Sequence, residues 1–182
     1  MSFLLEVFDS QQALDRAAAE WVAARVRPGV VLGLATGSTP VGMYKELVEM
    51  HRRGELTFAA VRTLNLDEYV GVGPDDPGSF AAYMEAHLFR WVDIAPGDRH
   101  IPDGLHPDPE AEAARYERLY WEVGPVDAQV LGIGTNGHIG FNEPGTPFDQ
   151  STHVVELAWE TRLANAGALD RKSTRLNSSH LG

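Results

Sequence analysis

The chain has 182 residues, with 15 Lys+Arg against 26 Asp+Glu, a net charge of −11 and no Cys. The length is enough for one domain with a full-sized core, and the lack of Cys excludes a disulfide scaffold, a thiolate nucleophile and any Cys-ligated metal site. The acidity disfavours nucleic acid as a partner, since phosphate contacts need clustered Lys and Arg, and no apolar run reaches the ~18–20 residues of a membrane span.

The N-terminus lacks a basic stretch and meets Glu6 and Asp9 early, so no secretory signal is expected and the cytoplasm is the expected location. Leu4–Phe8 is a short apolar run that predicts an edge strand. Leu14, Ala17, Ala18, Trp21 and Val22 recur at helical spacing, which predicts an amphipathic helix over 10–26. Pro28 and Gly29 end it. Val30–Leu34 is a continuous apolar run, the pattern of a parallel strand covered on both faces. Ala35-Thr36-Gly37-Ser38-Thr39 follows as a small-residue loop. Thr39 is placed to cap the next helix, with Pro40 at its first position and Gly54 just past its end.

Val61–Leu66 predicts the next strand, with Asp67–Gly71 as the loop after it. Phe80, Tyr83, Met84, His87, Leu88 and Trp91 form a third helical stripe. Residues 95–109 are rich in Pro and Gly and read as a connection. A helix is predicted over 109–123, then a buried strand over Ala128–Ile133. The loop 134–145 is dense in Gly and contains Asn136, His138 and Glu143. Val154–Leu157 and Thr161–Ala168 predict a strand and a helix start. This strand–helix alternation implies an α/β fold: three layers, doubly wound around a mostly parallel, Rossmann-like sheet. Loops 35–39, 67–71 and 134–145 all follow apolar strands. In such sheets ligands bind outside the carboxyl ends of the strands, so the three loops are expected to converge.

Residues 171–182 carry three basic groups and no acidic one; without them −11 becomes −14. Their only apolar residues are Leu176 and Leu181. They read as a disordered or foreign tail after a domain spanning 1–170.

The chemistry of the loops points to a small anionic ligand. A hydroxyl-rich glycine turn opening a helix exposes N–H groups that bind phosphate, through Thr36, Gly37, Ser38 and Thr39. An ordinary capped turn is the alternative. It is neither a P-loop nor a Gly-x-Gly-x-x-Gly turn. Asp67 at a strand end suits a general base, or else belongs with Glu68 to a solvated acidic loop. His138 with Glu143 five residues on suits a proton-transfer pair. His138, Glu143 and His153 do not fit His-Glu-x-x-His, and no metal is expected. A serine nucleophile elbow is absent.

Three motifs together resemble the glucosamine-6-phosphate deaminase family. They are Leu32–Pro40, Asn65–Gly71 and Gly132–Gly145, in matching order and spacing. The resemblance covers nearly all of residues 1–166 and implies a sugar-phosphate isomerase type of fold. It implies conversion of glucosamine 6-phosphate and water into fructose 6-phosphate and ammonia, without a cofactor. It further implies Asp67 as the base acting between C2 and C1, His138 in ring opening, and Glu143 with Asn136 holding His138. The family has Asp or Asn at position 136; with Asn136 here, Glu143 is expected to supply the negative charge. Loop 36–39 would take the 6-phosphate, and the cavity mouth is expected to be locally positive.

Departures from the family pattern fall near the C-terminus. Gly167 stands where an Arg that grips phosphate is usual, and a second phosphate-binding Lys lies in a C-terminal part expected to be missing from this chain. His153 and Val155 replace basic residues that bind an activator in some members, so that regulation is not expected. Members differ in oligomeric state, and the resemblance assigns none. The expected partner is a small sugar phosphate. Two other readings compete. A 6-phosphogluconolactonase-like hydrolase would show Arg in place of Tyr69 and a different sequence after His138. A non-catalytic sugar-phosphate sensor would carry a helix-turn-helix.

Overall fold

The structure, a computed structural model, describes residues 3–156 and 174–177. Four parallel strands form the central sheet: β1 (Val31–Leu34), β2 (Arg62–Asn65), β4 (Arg99–His100) and β5 (Ala128–Gln129), in the order β4-β2-β1-β5. The helices are α1 (Gln11–Ala23), α2 (Val41–Arg52), α3 (Phe80–His87) and α4 (Pro109–Val123). Alternation along β1 decides which helices cover which face. Leu32 and Leu34 pack with Ala19 and Val22 of α1, Met43, Tyr44 and Leu47 of α2, and Met84 of α3. Val31 packs on the other face with Leu64, Tyr116 and Val123. These are the three layers expected of a doubly wound α/β sheet.

From β1 the chain winds through β2 to β4 in one direction, whereas β5 lies on the opposite side of β1. The loops after β1 and β5 therefore diverge and open a crevice at the carboxyl ends of the strands. This is the topological switch point, where ligands bind in such sheets.

Three short strands form a second, antiparallel sheet beside that crevice: β3 (Asp67–Tyr69), β6 (His153–Glu156) and β7 (Thr174–Asn177), in the order β3-β7-β6. One expectation is corrected here. Asp67–Tyr69 is a buried strand rather than a loop. Thr174–Asn177, inside the stretch read as disordered or foreign, pairs with strands on both sides. A central strand position is filled by backbone hydrogen bonding and needs little apolar content from its occupant.

Other boundaries differ for local reasons. Residues 4–7 are exposed and Phe8 is half-buried, and none of the five belongs to a strand among the described residues. Helix α2 starts at Val41, with the Pro40 carbonyl accepting from Tyr44 N at 3.0 Å, so Thr39 remains in the exposed loop and caps nothing. Gly54, at φ +73°, stands just past the helix as read. Only Ala128 and Gln129 of the 128–133 run form a strand, and Ile133 is 77 % exposed. The Phe80–Trp91 stripe is broken after His87 by a 3-10 turn at Phe89–Trp91. Helix α4 matches its expected range, with Asp108 capping it through Glu110 N and Ala111 N. The helix expected at Thr161–Ala168, and Gly167 with it, lie outside the described residues.

Candidate active site

The crevice holds a cavity of about 290 Å³. Loop 35–39 forms one wall, Leu66 and Asp67 the base, and Gly132–Gly134 with His138, Gly140 and Phe141 the other wall; Phe80 closes it from α3. Loop 35–39, the start of β3 and loop 134–145 thus meet at one cavity, the convergence expected of these three segments.

Two tyrosines set the shape of loop 35–39. Tyr44 on α2 donates to the Ala35 carbonyl at 2.6 Å, and Tyr83 on α3 donates to the Gly37 carbonyl at 2.6 Å. Gly37 has φ +97°, a left-handed conformation that costs glycine little. Gly37, Ser38 and Thr39 are exposed at the mouth, immediately before α2. The positive end of α2 and the hydroxyls of Thr36, Ser38 and Thr39 suit an anion there. Among the described residues no Lys or Arg lines the cavity, and there the positive end of α2 is what stands behind the locally positive mouth expected from the sequence. Lys45 of α2 lines a neighbouring depression together with Ser38 and Thr39. The sequence reading did not single out Lys45.

Asp67 is 7 % exposed and belongs to the cavity wall. Burial pushes its carboxyl up to about 8, and the Glu68 carboxylate beside it adds to the rise. This places it near neutrality, where one group can both take and return a proton. The solvated acidic loop considered from sequence is therefore not what forms.

His138 is held by a tight turn. Gly134 N donates to the His138 carbonyl at 2.8 Å, and Gly137 N donates to the Gly134 carbonyl at 2.9 Å, with Gly137 at φ +89°. The imidazole lies against the Cα of Gly134, where a Cβ would overlap the ring. His138 Nδ1 is 2.7 Å from Asn136 Oδ1, and Asn136 Nδ2 donates to Glu143 Oε2 at 2.8 Å. A carboxylate only accepts, so the amide must turn its nitrogen to Glu143 and its oxygen to His138. His138 Nδ1 then carries the proton, and Nε2 is left as the ring's acceptor. Glu143 acts on His138 through Asn136. Asn136 and Glu143 do not line the cavity; Asp67 and His138 do.

Phe80 and Phe141, which the sequence reading did not assign to the site, line the cavity. Tyr69, Phe80 and Phe141 form a cluster with ring centroids 4.6–5.6 Å apart. The stripe around Phe80 carried that signal but was read as core alone. Among the described residues no group of three or more His, Asp or Glu side chains is arranged to hold a metal ion, and no helix is long and apolar enough to cross a membrane.

A doubly wound sheet with a polar cavity at its switch point defines a small-molecule-binding α/β protein. The chain belongs to the glucosamine-6-phosphate isomerase/6-phosphogluconolactonase family, whose model matches residues 9–158. It is 54% identical over 157 residues to glucosamine-6-phosphate deaminase of Geobacillus sp. (strain WCH70), covering 85% of this chain and 62% of that one. The Bacillus velezensis (strain DSM 23117 / BGSC 10A6 / LMG 26770 / FZB42) deaminase is 55% identical over 157 residues, covering 85% and 65%. The chain thus spans less than two thirds of the length of these two relatives. A solved monomeric glucosamine-6-phosphate deaminase superposes with a TM-score of 0.90 at 44% identity, covering 93% of this chain and 73% of that one. A 6-phosphogluconolactonase from Thermotoga maritima shares the fold, with a TM-score of 0.70 at 20% identity over 97% of this chain and 76% of that one.

Proposed function

We propose that this chain carries the acid–base site of a glucosamine-6-phosphate deaminase. The observation behind this reading is that Asp67, His138 and loop 36–39 share one cavity. The 6-phosphate takes the N–H groups and hydroxyls of Thr36, Gly37, Ser38 and Thr39 at the start of α2. His138 Nε2 exchanges a proton with the sugar as the pyranose ring opens: the ring oxygen gains one and the C1 hydroxyl loses one. Asn136 and Glu143 hold the imidazole and steady its charge as it picks up the proton.

Asp67 then removes the C2 proton from the open-chain amino aldose, and the electrons move to the C1 carbonyl to give an enolamine. Returning a proton to C1 yields the ketose imine. Water adds at C2 and ammonia leaves, giving fructose 6-phosphate. One water is consumed for each ammonia released, which makes the overall reaction a hydrolysis. Each positioned acid–base group contributes typically ~10²–10⁴-fold.

The environment of residue 69 favours this reading over a lactonase. Tyr69 is buried in the aromatic cluster, where an Arg guanidinium would be stranded without water. The test is an ammonia-release assay with glucosamine 6-phosphate, unphosphorylated glucosamine and 6-phosphogluconolactone. Ammonia and fructose 6-phosphate should form in equal amounts from the first substrate only. Hydrolysis of the lactone without ammonia release from the amino sugar would overturn the assignment.

A further inference from the structure

Glu68 is 2 % exposed, yet it does not line the cavity. Successive strand residues point to opposite faces, so Asp67 enters the cavity and Glu68 turns away behind it. There the Glu68 carboxylate collects three backbone donors. Tyr69 N and Phe80 N donate to Oε1 at 2.8 and 3.0 Å, and Ala81 N donates to Oε2 at 2.9 Å. Phe80 and Ala81 are the first two residues of α3, whose N–H groups have no partner within the helix. Gly104 packs so closely that a Cβ there would meet the Tyr69 and Val72 carbonyls and Glu68 Cγ.

We propose that Glu68 is a positioning residue for Asp67: its carboxylate pins β3 to the start of α3 and presents a fixed negative charge to Asp67 from behind. The inference rests on reading Asp67 as the base. Length and charge of the side chain have separate consequences. The length holds the strand on the helix and so aims Asp67 into the cavity. The charge makes Asp67 a better proton acceptor, in the same direction as burial.

Among the described residues, the other ionisable groups near Asp67 are Tyr116 of α4, which donates to the Asn65 carbonyl at 2.7 Å, and His138 across the cavity. On β7, Asn177 stands opposite Asp67, Leu176 opposite Glu68 and Arg175 opposite Tyr69 in the register. The start of α3 contributes no charged residue.

Two variants separate length from charge. Glu68→Gln keeps the length and removes the charge. The acid limb of kcat/KM should move to lower pH by about one unit, and the Asp67 carboxyl, followed by carbon-13 NMR, should titrate lower by the same amount. Glu68→Asp keeps the charge and shortens the reach. It should lower kcat by about 10-fold with KM little changed and the acid limb in place. An unmoved Asp67 titration in Glu68→Gln, or full kcat in Glu68→Asp, would overturn the proposal. If Glu68→Gln does not fold, the kcat of Glu68→Asp decides. A lowered Asp67 titration with an unmoved acid limb would uphold the charge effect of Glu68 and instead remove Asp67 from the role of base.

Discussion

Asn136 donates its amide N–H to the Glu143 carboxylate at 2.8 Å, and that bond decides which end of the amide His138 meets. The imidazole receives an oxygen at Nδ1, so its tautomer is set by a residue outside the cavity. Asn136→Ala would leave His138 in place on its turn but free to change tautomer and to rotate. Turnover of glucosamine 6-phosphate is expected to fall about 10²-fold, with KM little changed. Asn136 is exposed, so unfolding should shift by no more than about 0.5 kcal/mol. Steady-state kinetics with a denaturant titration checks both; unaltered kcat would show that the amide orients nothing.

Gly134 offers a second handle on the same ring. Its lack of a side chain leaves the space that the imidazole occupies. Gly134→Ala should displace the ring and lower kcat by at least about 10²-fold. The backbone turn should survive, because Gly134 N still reaches the His138 carbonyl. Far-ultraviolet circular dichroism should therefore be unchanged. Wild-type turnover in this variant would mean that the ring need not sit where it does.

Asp67 ties activity and stability to pH in opposite directions. Its carboxyl lies at about 8 in the folded chain, against an ordinary 3.8. As the base it must be ionised, so kcat/KM should rise with pH to a midpoint near 8. Between the two values the folded state holds a proton that the unfolded state has lost. Its stabilising contribution is full below the unfolded value and is lost as pH rises toward the folded one. Asp67→Asn removes the titration. It should abolish ammonia release, raise Tm relative to the parent at about pH 8.5, and leave the two alike near about pH 4. A Tm difference independent of pH would contradict the buried, ionisable Asp67.

What was legible in the sequence was local. Helix α4 carries its own cap in Asp108-Pro109, and β1 is an unbroken apolar run, so both could be read from neighbouring residues. The cavity was legible as topology, because loops that follow parallel strands share one edge of a sheet. What escaped depended on distant partners. Asp67–Tyr69 has two acidic residues and poor strand propensity; it is a strand because Thr174–Asn177 pairs with it from over a hundred residues away. The apolar residues 4–8 met the opposite fate, since strand-like composition without a partner does not make a strand. Spacing paired Glu143 with His138 and the resemblance added Asn136, but that Glu143 reaches His138 through Asn136 required side-chain geometry that spacing does not contain.

Loop 35–39 is held by two phenols whose roles separate by burial. Tyr83 donates to the Gly37 carbonyl from a half-buried position, at the part of the loop that faces solvent. Tyr44 donates to the Ala35 carbonyl from full burial against β1. A hydrogen bond of this kind is worth about 0.5–1.5 kcal/mol net, whereas leaving a buried acceptor unpaired costs about 1–3 kcal/mol. Tyr83→Phe should therefore loosen Gly37 and act on the phosphate end of the ligand. KM for glucosamine 6-phosphate and the inhibition constant of inorganic phosphate should both rise about 2- to 10-fold, with kcat unchanged. Tyr44→Phe should act on the fold, lowering unfolding free energy by about 1–3 kcal/mol while sparing KM in the surviving folded protein. Inhibition by inorganic phosphate, measured beside thermal melts of both variants, distinguishes the two. A rise in KM from Tyr44→Phe and none from Tyr83→Phe would reverse the assignment and place the phosphate contacts nearer Ala35 than Gly37.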